Sequence, residues 1–175
     1  MQFLATRLEG AYRIEPNPVS DERGRFERSF CTREFEAVGL HTGFVQHSQS
    51  WSSVKGTLRG MHFQRAPHGE IKLVRCLRGR IWDVILDLRT ASPTFRLWQG
   101  FELSEDNRNQ LYVPEGFAHG FQTLTDDVEV GYMISTHYAA DYASGVRHDD
   151  PAFGIDWPLP VTAISERDRS WPGYD

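Results

Sequence analysis

Cysteine is scarce: the 175-residue chain has two, Cys31 and Cys76, far apart and with neither CxxC nor CxxH spacing around them. That pattern excludes a disulfide framework or a zinc knuckle, and both thiols are expected reduced and buried. Long apolar runs are missing too, and none approaches the roughly 20 residues that a spanning helix needs. The opening Met1-Gln2-Phe3-Leu4-Ala5-Thr6-Arg7 has no basic start followed by an apolar stretch, so no secretory signal is expected and the cytosol is the default compartment. Positive charge is in deficit, with 19 Lys and Arg against 24 Asp and Glu, a net of -5. Nonspecific binding to a nucleic-acid polyanion is thereby disfavoured, whereas a small anionic ligand held by a local group of arginines is not. Repeats, low-complexity tracts and linkers are absent. With 39% hydrophobic and 25% charged residues, the composition is that of one soluble globular domain spanning 1–175, large enough to bury a core.

What is present is a dense series of turn signals, among them Pro16-Asn17-Pro18, Lys55-Gly56, Pro67-His68-Gly69, Arg78-Gly79, Pro114-Glu115-Gly116 and Pro158-Leu159-Pro160. The segments between them are short, and several alternate with the period of two of a strand. From Ile81 to Leu88, one face carries Trp82, Val84, Leu86 and Leu88 and the other Ile81, Asp83, Ile85 and Asp87. Ile71 to Leu77, joined to it through Arg78-Gly79, reads as the first arm of a hairpin, and Val128 to Ile134 as a strand containing Tyr132. One helix is expected, Thr32 to Val38, with Thr32 as N-cap, Glu34 in the first turn and Gly39 as the stop. Many short strands with little helix predict an all-β fold of jelly-roll type. The Pro- and Trp-rich stretch from Asp149 onward lacks periodicity and is expected to wrap over the barrel as irregular chain.

Two histidines stand out by their neighbours. His62 lies in Leu58-Arg59-Gly60-Met61-His62-Phe63-Gln64, and His119 closes Pro114-Glu115-Gly116-Phe117-Ala118-His119. The spacing Pro-x-Gly-x-x-His resembles the second signature of cupin jelly rolls. In metal-dependent cupins the first signature supplies His-x-His, but here the second position is Gln64, a poor ligand for a transition metal, so that set is broken. A three-ligand site from His62, Glu70 and His119 stays open as an alternative. Without a metal, abstraction of a proton beside a carbonyl needs a base, a cation at the developing enolate and an acid on the opposite face. Histidine suits the first role, Lys72 the second and the Tyr132 phenol the third. Each residue taken alone is commoner as a core or solvated strand residue.

Ordered blocks along nearly the whole chain resemble the dTDP-4-dehydrorhamnose 3,5-epimerase family. They include Asp21-Glu22-Arg23-Gly24 with Phe26, Leu58 to Gln64, Lys72-Leu73-Val74-Arg75, Trp82 to Arg89, Leu111 to Phe121, and the closing Ile155-Asp156-Trp157-Pro158 and Ser165-Glu166-Arg167-Asp168. The resemblance implies a cupin enzyme that uses no metal and no cofactor, works as a homodimer with exchanged strands, and acts on a dTDP-linked 4-keto-6-deoxy sugar, with no nucleic-acid or membrane partner. Its base matches His62, the carboxylate paired with that base Asp168, its proton donor Tyr132 and its enolate-stabilising cation Lys72. Arg23, Arg59 and His119 match positions that contact diphosphate and sugar, and Phe26 and Tyr138 match aromatic positions near the thymine ring.

The sequence also departs from that pattern. Arg28 stands where the family has a glutamate, Ala143 stands at a late glutamate position, and the Gln-x-Asn-x-Ser block has no Asn, so that either Gln46 or Gln49 is its ligand-reaching amide. These are substrate-contact positions and bear on which sugar is taken and on whether one or both carbons invert; three further readings stand beside the main one. They are a single-centre 3- or 5-epimerase, a binding cupin that has lost catalysis, and the metal-dependent enzyme.

Overall fold

The structure, a computed structural model, describes residues 1–174. Thirteen strands form two main antiparallel sheets and one separate hairpin. The first sheet contains β1 (Gln2–Ala5), β2 (Tyr12–Glu15), β10 (Gln110–Val113), β7 (Lys72–Arg78), β12 (Val128–Ile134) and β5 (Gln46–Ser52), in that spatial order. The second has the order β13 (Ala143–Gly145), β6 (Leu58–Gln64), β11 (Phe117–Thr123), β8 (Arg80–Asp87) and β9 (Trp98–Ser104). The hairpin β3 (Val19–Asp21) and β4 (Gly24–Phe26) stands apart from both. The architecture is an all-β jelly-roll sandwich, as the many short strands and dense turn signals predict.

The inner faces of the two sheets make the core. Val74 and Cys76, Ile81 and Ile85, Leu111 and Val113, Phe117 and Phe121, and Val128 and Val130 meet there at every second position along their strands. The predicted alternation of β8 holds, with Ile81 and Ile85 in this layer and Val84 and Leu86 on the far face. That far face is buried as well, because Phe153, Ile155, Trp157 and Tyr174 of the C-terminal segment cover it. The expected irregular wrap therefore completes a second apolar layer.

The predicted hairpin between Ile71–Leu77 and Ile81–Leu88 does not form. β7 pairs with β10 and β12, whereas β8 pairs with β11 and β9, so the chain crosses from one sheet to the other at Gly79. The turn requires glycine: φ is +76°, and a side chain there would meet Thr125 and Val128. A Gly turn marks a reversal of direction but does not fix the strand's partner.

The helix α1 spans Thr32–Glu36, shorter than expected, and its N-cap is Cys31, with no side-chain cap hydrogen bond. Thr32 is its first residue rather than its cap. Gly39 does end it, its N–H donating to Glu36 O while the Leu40 N–H donates to Phe35 O. Phe35 is fully buried and pins α1 to the outer face of the first sheet, where it packs near Ile14, Leu73 and Tyr112. A ring so placed contributes about 2–3 kcal/mol relative to an exposed one. A second helix that the sequence reading did not foresee, α2 (Glu166–Arg169), is capped by Ser165, whose side chain accepts the Asp168 N–H at 3.1 Å. Both cysteines are free; Cys76 is buried but Cys31 is only partly so. Burial pushes the Cys76 thiol up to about 12.

Candidate active site

At one end of the sandwich the inward-facing positions change from apolar to polar. β12 runs Val128, Val130, Tyr132; β7, read backwards, runs Cys76, Val74, Lys72; and β11 runs from Phe121 to His119. The polar residues open onto a cavity of about 660 Å³ between the sheets, also lined by Arg59, His62, Glu70, Tyr138, Arg167 and Asp168.

His62 and Asp168 form a hydrogen-bonded pair, with Nε2 2.6 Å from Oδ1. The ring is 43% open to solvent and its partner carboxylate 7%. Two local features build the pair. In β6, His62 faces His119 and Arg59 faces Phe121, so three residue steps match two on β11. The bulge at Gly60-Met61 lets Arg59 and His62, which an unbroken strand would aim at opposite faces, reach the same cavity. Gly60 lies at φ +144°, and a Cβ there would sit 2.5 Å from Gly120 Cα, so glycine is required at the crossing. On the other side, the short capped helix α2 presents Asp168. Burial opposes ionisation of this carboxyl, yet the His62 hydrogen bond and charge, the Gly60 N–H and Ser165 outweigh burial and hold it below its usual range. With Nε2 committed to Asp168, Nδ1 is the nitrogen left for a ligand.

From the opposite sheet come Lys72 and Tyr132. Lys72 Nζ lies 2.9 Å from Glu70 Oε1 and donates to His62 O at 3.3 Å. The Tyr132 hydroxyl is 2.9 Å from Ser50 Oγ. Burial drives the phenol above its ordinary range, with only partial relief from the Ser50 bond, so it holds its proton throughout the neutral range. His119 is buried in the cavity wall, Nε2 2.9 Å from Asp83 Oδ2, with its ring edge-on to Tyr132. Arg59 is held by Nε donating to Ser52 Oγ at 3.0 Å and Nη2 to Trp51 O at 2.9 Å. His62 and His119 thus each have a ring nitrogen engaged by a separate carboxylate, and Glu70 is paired with Lys72. Among the described residues no three His, Cys, Asp or Glu side chains are placed to share an ion, so the His62, Glu70 and His119 set has no geometry behind it.

The remaining expected residues divide. Tyr138 lines the cavity, 61% exposed, and its backbone N–H donates to Gln46 Oε1 at 2.7 Å. Gln46 shares strand parity with the cavity-lining Ser48 and Ser50, whereas Gln49 has the opposite parity and leaves the site. Arg23 and Phe26 do not line their own chain's cavity. They lie on the β3–β4 hairpin, with Arg23 ion-paired to Asp21 and Phe26 74% exposed. Arg28 pairs with Glu34 and Glu27 with Arg108, while Ala143 lines the cavity opposite Gln64.

Sequence reasoning missed Asp83, Ser50, Ser52 and Arg167. Asp83 was legible in principle, since its parity with Ile81 and Ile85 buries a carboxylate that must find a partner. Arg167 lines the cavity from α2, and its guanidinium stacks over Trp171 at 5.2 Å.

Comparison with known proteins shows the family. The family model described as dTDP-4-dehydrorhamnose 3,5-epimerase matches residues 5–175. A curated enzyme of that description from Methanothermobacter thermautotrophicus is 48% identical over 174 residues, 97% of this chain and 92% of the relative. The crystal structure of the Bacillus anthracis enzyme, with TDP and PPi bound, superposes with a TM-score of 0.96 at 42% identity and covers 99% of both chains. The Legionella pneumophila enzyme, solved in complex with dTDP-4-keto-L-rhamnose, gives a TM-score of 0.90 at 37% identity, over 95% of this chain and 89% of that one.

Proposed function

The chain belongs to the dTDP-4-dehydrorhamnose 3,5-epimerase family, and on that premise we propose how its residues carry the reaction. The protein is an isomerase that epimerises a dTDP-linked 4-keto-6-deoxy sugar at the carbons flanking the ketone. His62 Nδ1 takes the proton from one such carbon, and the electron pair moves to the ketone oxygen. Asp168 fixes the tautomer with Nδ1 free and stabilises the imidazolium that forms. The Lys72 ammonium, positioned by Glu70, balances the charge on the enolate oxygen. Tyr132, or a water, returns a proton to the other face, leaving inverted stereochemistry; His62 and Tyr132 then reset by exchange with solvent. Arg59, Arg167 and His119 supply donors for the diphosphate and sugar, since guanidinium forks match phosphate oxygens.

The single observation that carries this reading is the placement of base and acid on opposite sheets. His62 projects from the second sheet and Tyr132 from the first, on either side of one cavity. A planar enolate between them meets a proton acceptor on one face and a proton donor on the other, as inversion requires.

The active unit is a homodimer of 175-residue jelly rolls working in the cytosol. Support comes from the β3–β4 hairpin, whose Val19 and Phe26 are exposed and do not pack against their own chain's core clusters. Inserted into a second copy, that arm would deliver Arg23 and Phe26 to the open cavity, where the ring stacks on the base and the guanidinium meets phosphate. Light scattering is expected to give the dimer mass, and a monomer at working concentration would remove this part.

The test of function is proton NMR of a dTDP-4-keto-6-deoxyglucose reaction run in deuterated water and scored separately at the two carbons. Exchange with inversion at both is expected, and His62→Ala should abolish it. Inversion at one carbon would make this a single-centre enzyme. Tight binding without exchange would identify a binding protein, and exchange surviving in His62→Ala would remove the base.

A further inference from the structure

Strand β5 has a polar stripe with an unusual set of partners. Gln46, Ser48, Ser50 and Ser52 share one face of the strand, Ser48 and Ser50 lining the cavity, and three of the four hold residues of the site. Gln46 holds Tyr138 through its backbone at 2.7 Å, Ser50 meets Tyr132 at 2.9 Å, and Ser52 holds Arg59 at 3.0 Å. β5 is an edge strand with no apolar alternation, so these side chains are not there to fill the core.

We infer that Ser50 is the positioning residue of the proton donor, which deepens the proposed function and rests on its reading of Tyr132. A phenol has one proton. While the Tyr132 O–H points at Ser50 it cannot be delivered to a carbon, so the productive arrangement has Ser50 O–H donating to the phenol oxygen and the phenol proton aimed into the cavity. Among the described residues neither hydroxyl has another hydrogen-bond partner. In the transfer, the Tyr132 O–H bond breaks, the new C–H bond forms with the enolate electron pair, and a phenolate remains in a buried wall. An unsolvated anion there is costly, and Ser50 is the protein donor in reach of it. Ser50 therefore acts on reprotonation and not on proton removal, which takes place at His62 on the other sheet.

Ser50→Ala separates the two steps. With solvent exchange and net inversion measured in one NMR experiment, inversion at the carbon served by Tyr132 should fall about ten-fold more than exchange, the size expected for one hydrogen bond made in the transition state. Ser50→Thr, which keeps the hydroxyl, should restore the ratio, and Ser50→Ala in a Tyr132→Phe background should change it no further. Equal loss of exchange and inversion, or no change in either, overturns the inference. A readout without turnover stands beside these: the Cζ signal of Tyr132 in ring-labelled protein should move in Ser50→Ala and return in Ser50→Thr. An unmoved signal refutes the contact itself. If the parent protein exchanges no substrate protons, the epimerase reading fails first and the Ser50 role falls with it; a neutral Ser50→Ala in an active parent removes Ser50 alone.

Discussion

Asp168→Asn is the sharpest perturbation of the proposed base, because it keeps the shape of the side chain and removes its charge. In the parent, an imidazolium formed at His62 sits against a carboxylate whose oxygen is 2.6 Å away. At an effective dielectric of about 20, unit charges roughly 4 Å apart attract by about 4 kcal/mol. Because the His62 ring is 43% open to solvent, screening trims that to roughly 2–3 kcal/mol, or about 30- to 150-fold in rate. The tautomer adds a second loss. A carboxylate can only accept, so Nε2 must carry the proton and Nδ1 is free. An amide can turn its NH2 toward Nε2, which moves the ring proton to Nδ1 and blocks the base. The combined loss is on the order of 10³-fold in kcat, with KM little changed because Asp168 faces the ring and not the diphosphate. Solvent deuterium exchange at the sugar carbons is the assay, with unfolding by urea as the control for folding. A folded Asp168→Asn protein that exchanges within ten-fold of the parent would refute the pairing as a catalytic device.

Tyr132→Phe should keep at least a tenth of the parent's proton exchange while net inversion at one carbon falls by two orders of magnitude or more; full retention of epimerisation would take Tyr132 out of the mechanism. Arg23→Ala, placed on the exposed arm, should raise KM by about ten-fold with little effect on kcat, and an unchanged KM would show that the arm does not reach a nucleotide. Asp87 gives a stability prediction. It is fully buried, and although burial opposes its charge, hydrogen bonds from Arg89, Ser92 and Thr94 hold its carboxyl down to about 2. A folded value below the unfolded one means stability present above about pH 4 and lost as pH falls through about 2, worth about 2.5 kcal/mol at neutral pH. Asp87→Asn should therefore lower the urea unfolding free energy by about that amount at pH 7 and by roughly half of it at pH 3; an equal deficit at both would contradict the linkage.

The parts of this molecule legible in its sequence were those set by period and turn chemistry. Ile81 to Leu88 and Val128 to Ile134 alternate plainly, and the strands fall at Arg80–Asp87 and Val128–Ile134. Alternation reports which face a residue takes and is silent about which strand lies beside it, so Arg78-Gly79 passed for a hairpin when it carries the chain between sheets. The choice between Gln46 and Gln49 stayed open for a related reason. Parity separates them at once, but Gln46–Ser52 has no apolar rhythm to announce a strand. α2 has four residues, too few for any helical period, although Ser165 three residues before Asp168 is a capping pattern that marks where it begins. The family resemblance supplied His62 and Asp168 as a pair; the bulge that aims His62 and the cap that aims Asp168 are backbone events with no periodic signature.

The jelly roll itself explains why the site needs residues from so many segments. A sandwich core excludes water along its length, and only at an end can polar side chains keep inward-facing positions without being stranded. The strands that reach that end offer such positions: β7 gives Lys72, β11 gives His119 and β12 gives Tyr132, while neighbouring segments return to satisfy them: Glu70 on Lys72, Asp83 on His119 and Ser50 on Tyr132. Each polar member is therefore held by a partner from the same end of the fold. The arrangement carries a cost in generality, because a partner tuned to hold one group rigidly also fixes what fits between the sheets. Ser48 is the exception on the β5 stripe, lining the cavity with a side-chain hydroxyl that has no hydrogen-bond partner among the described residues. Ala143 lines the same cavity from the opposite sheet, and neither side chain handles a proton. Enlarging Ser48 or Ala143 should therefore change the relative kcat/KM for different dTDP-linked 4-keto sugars before it changes the ratio of solvent exchange to inversion; an altered ratio with unaltered sugar preference would refute this.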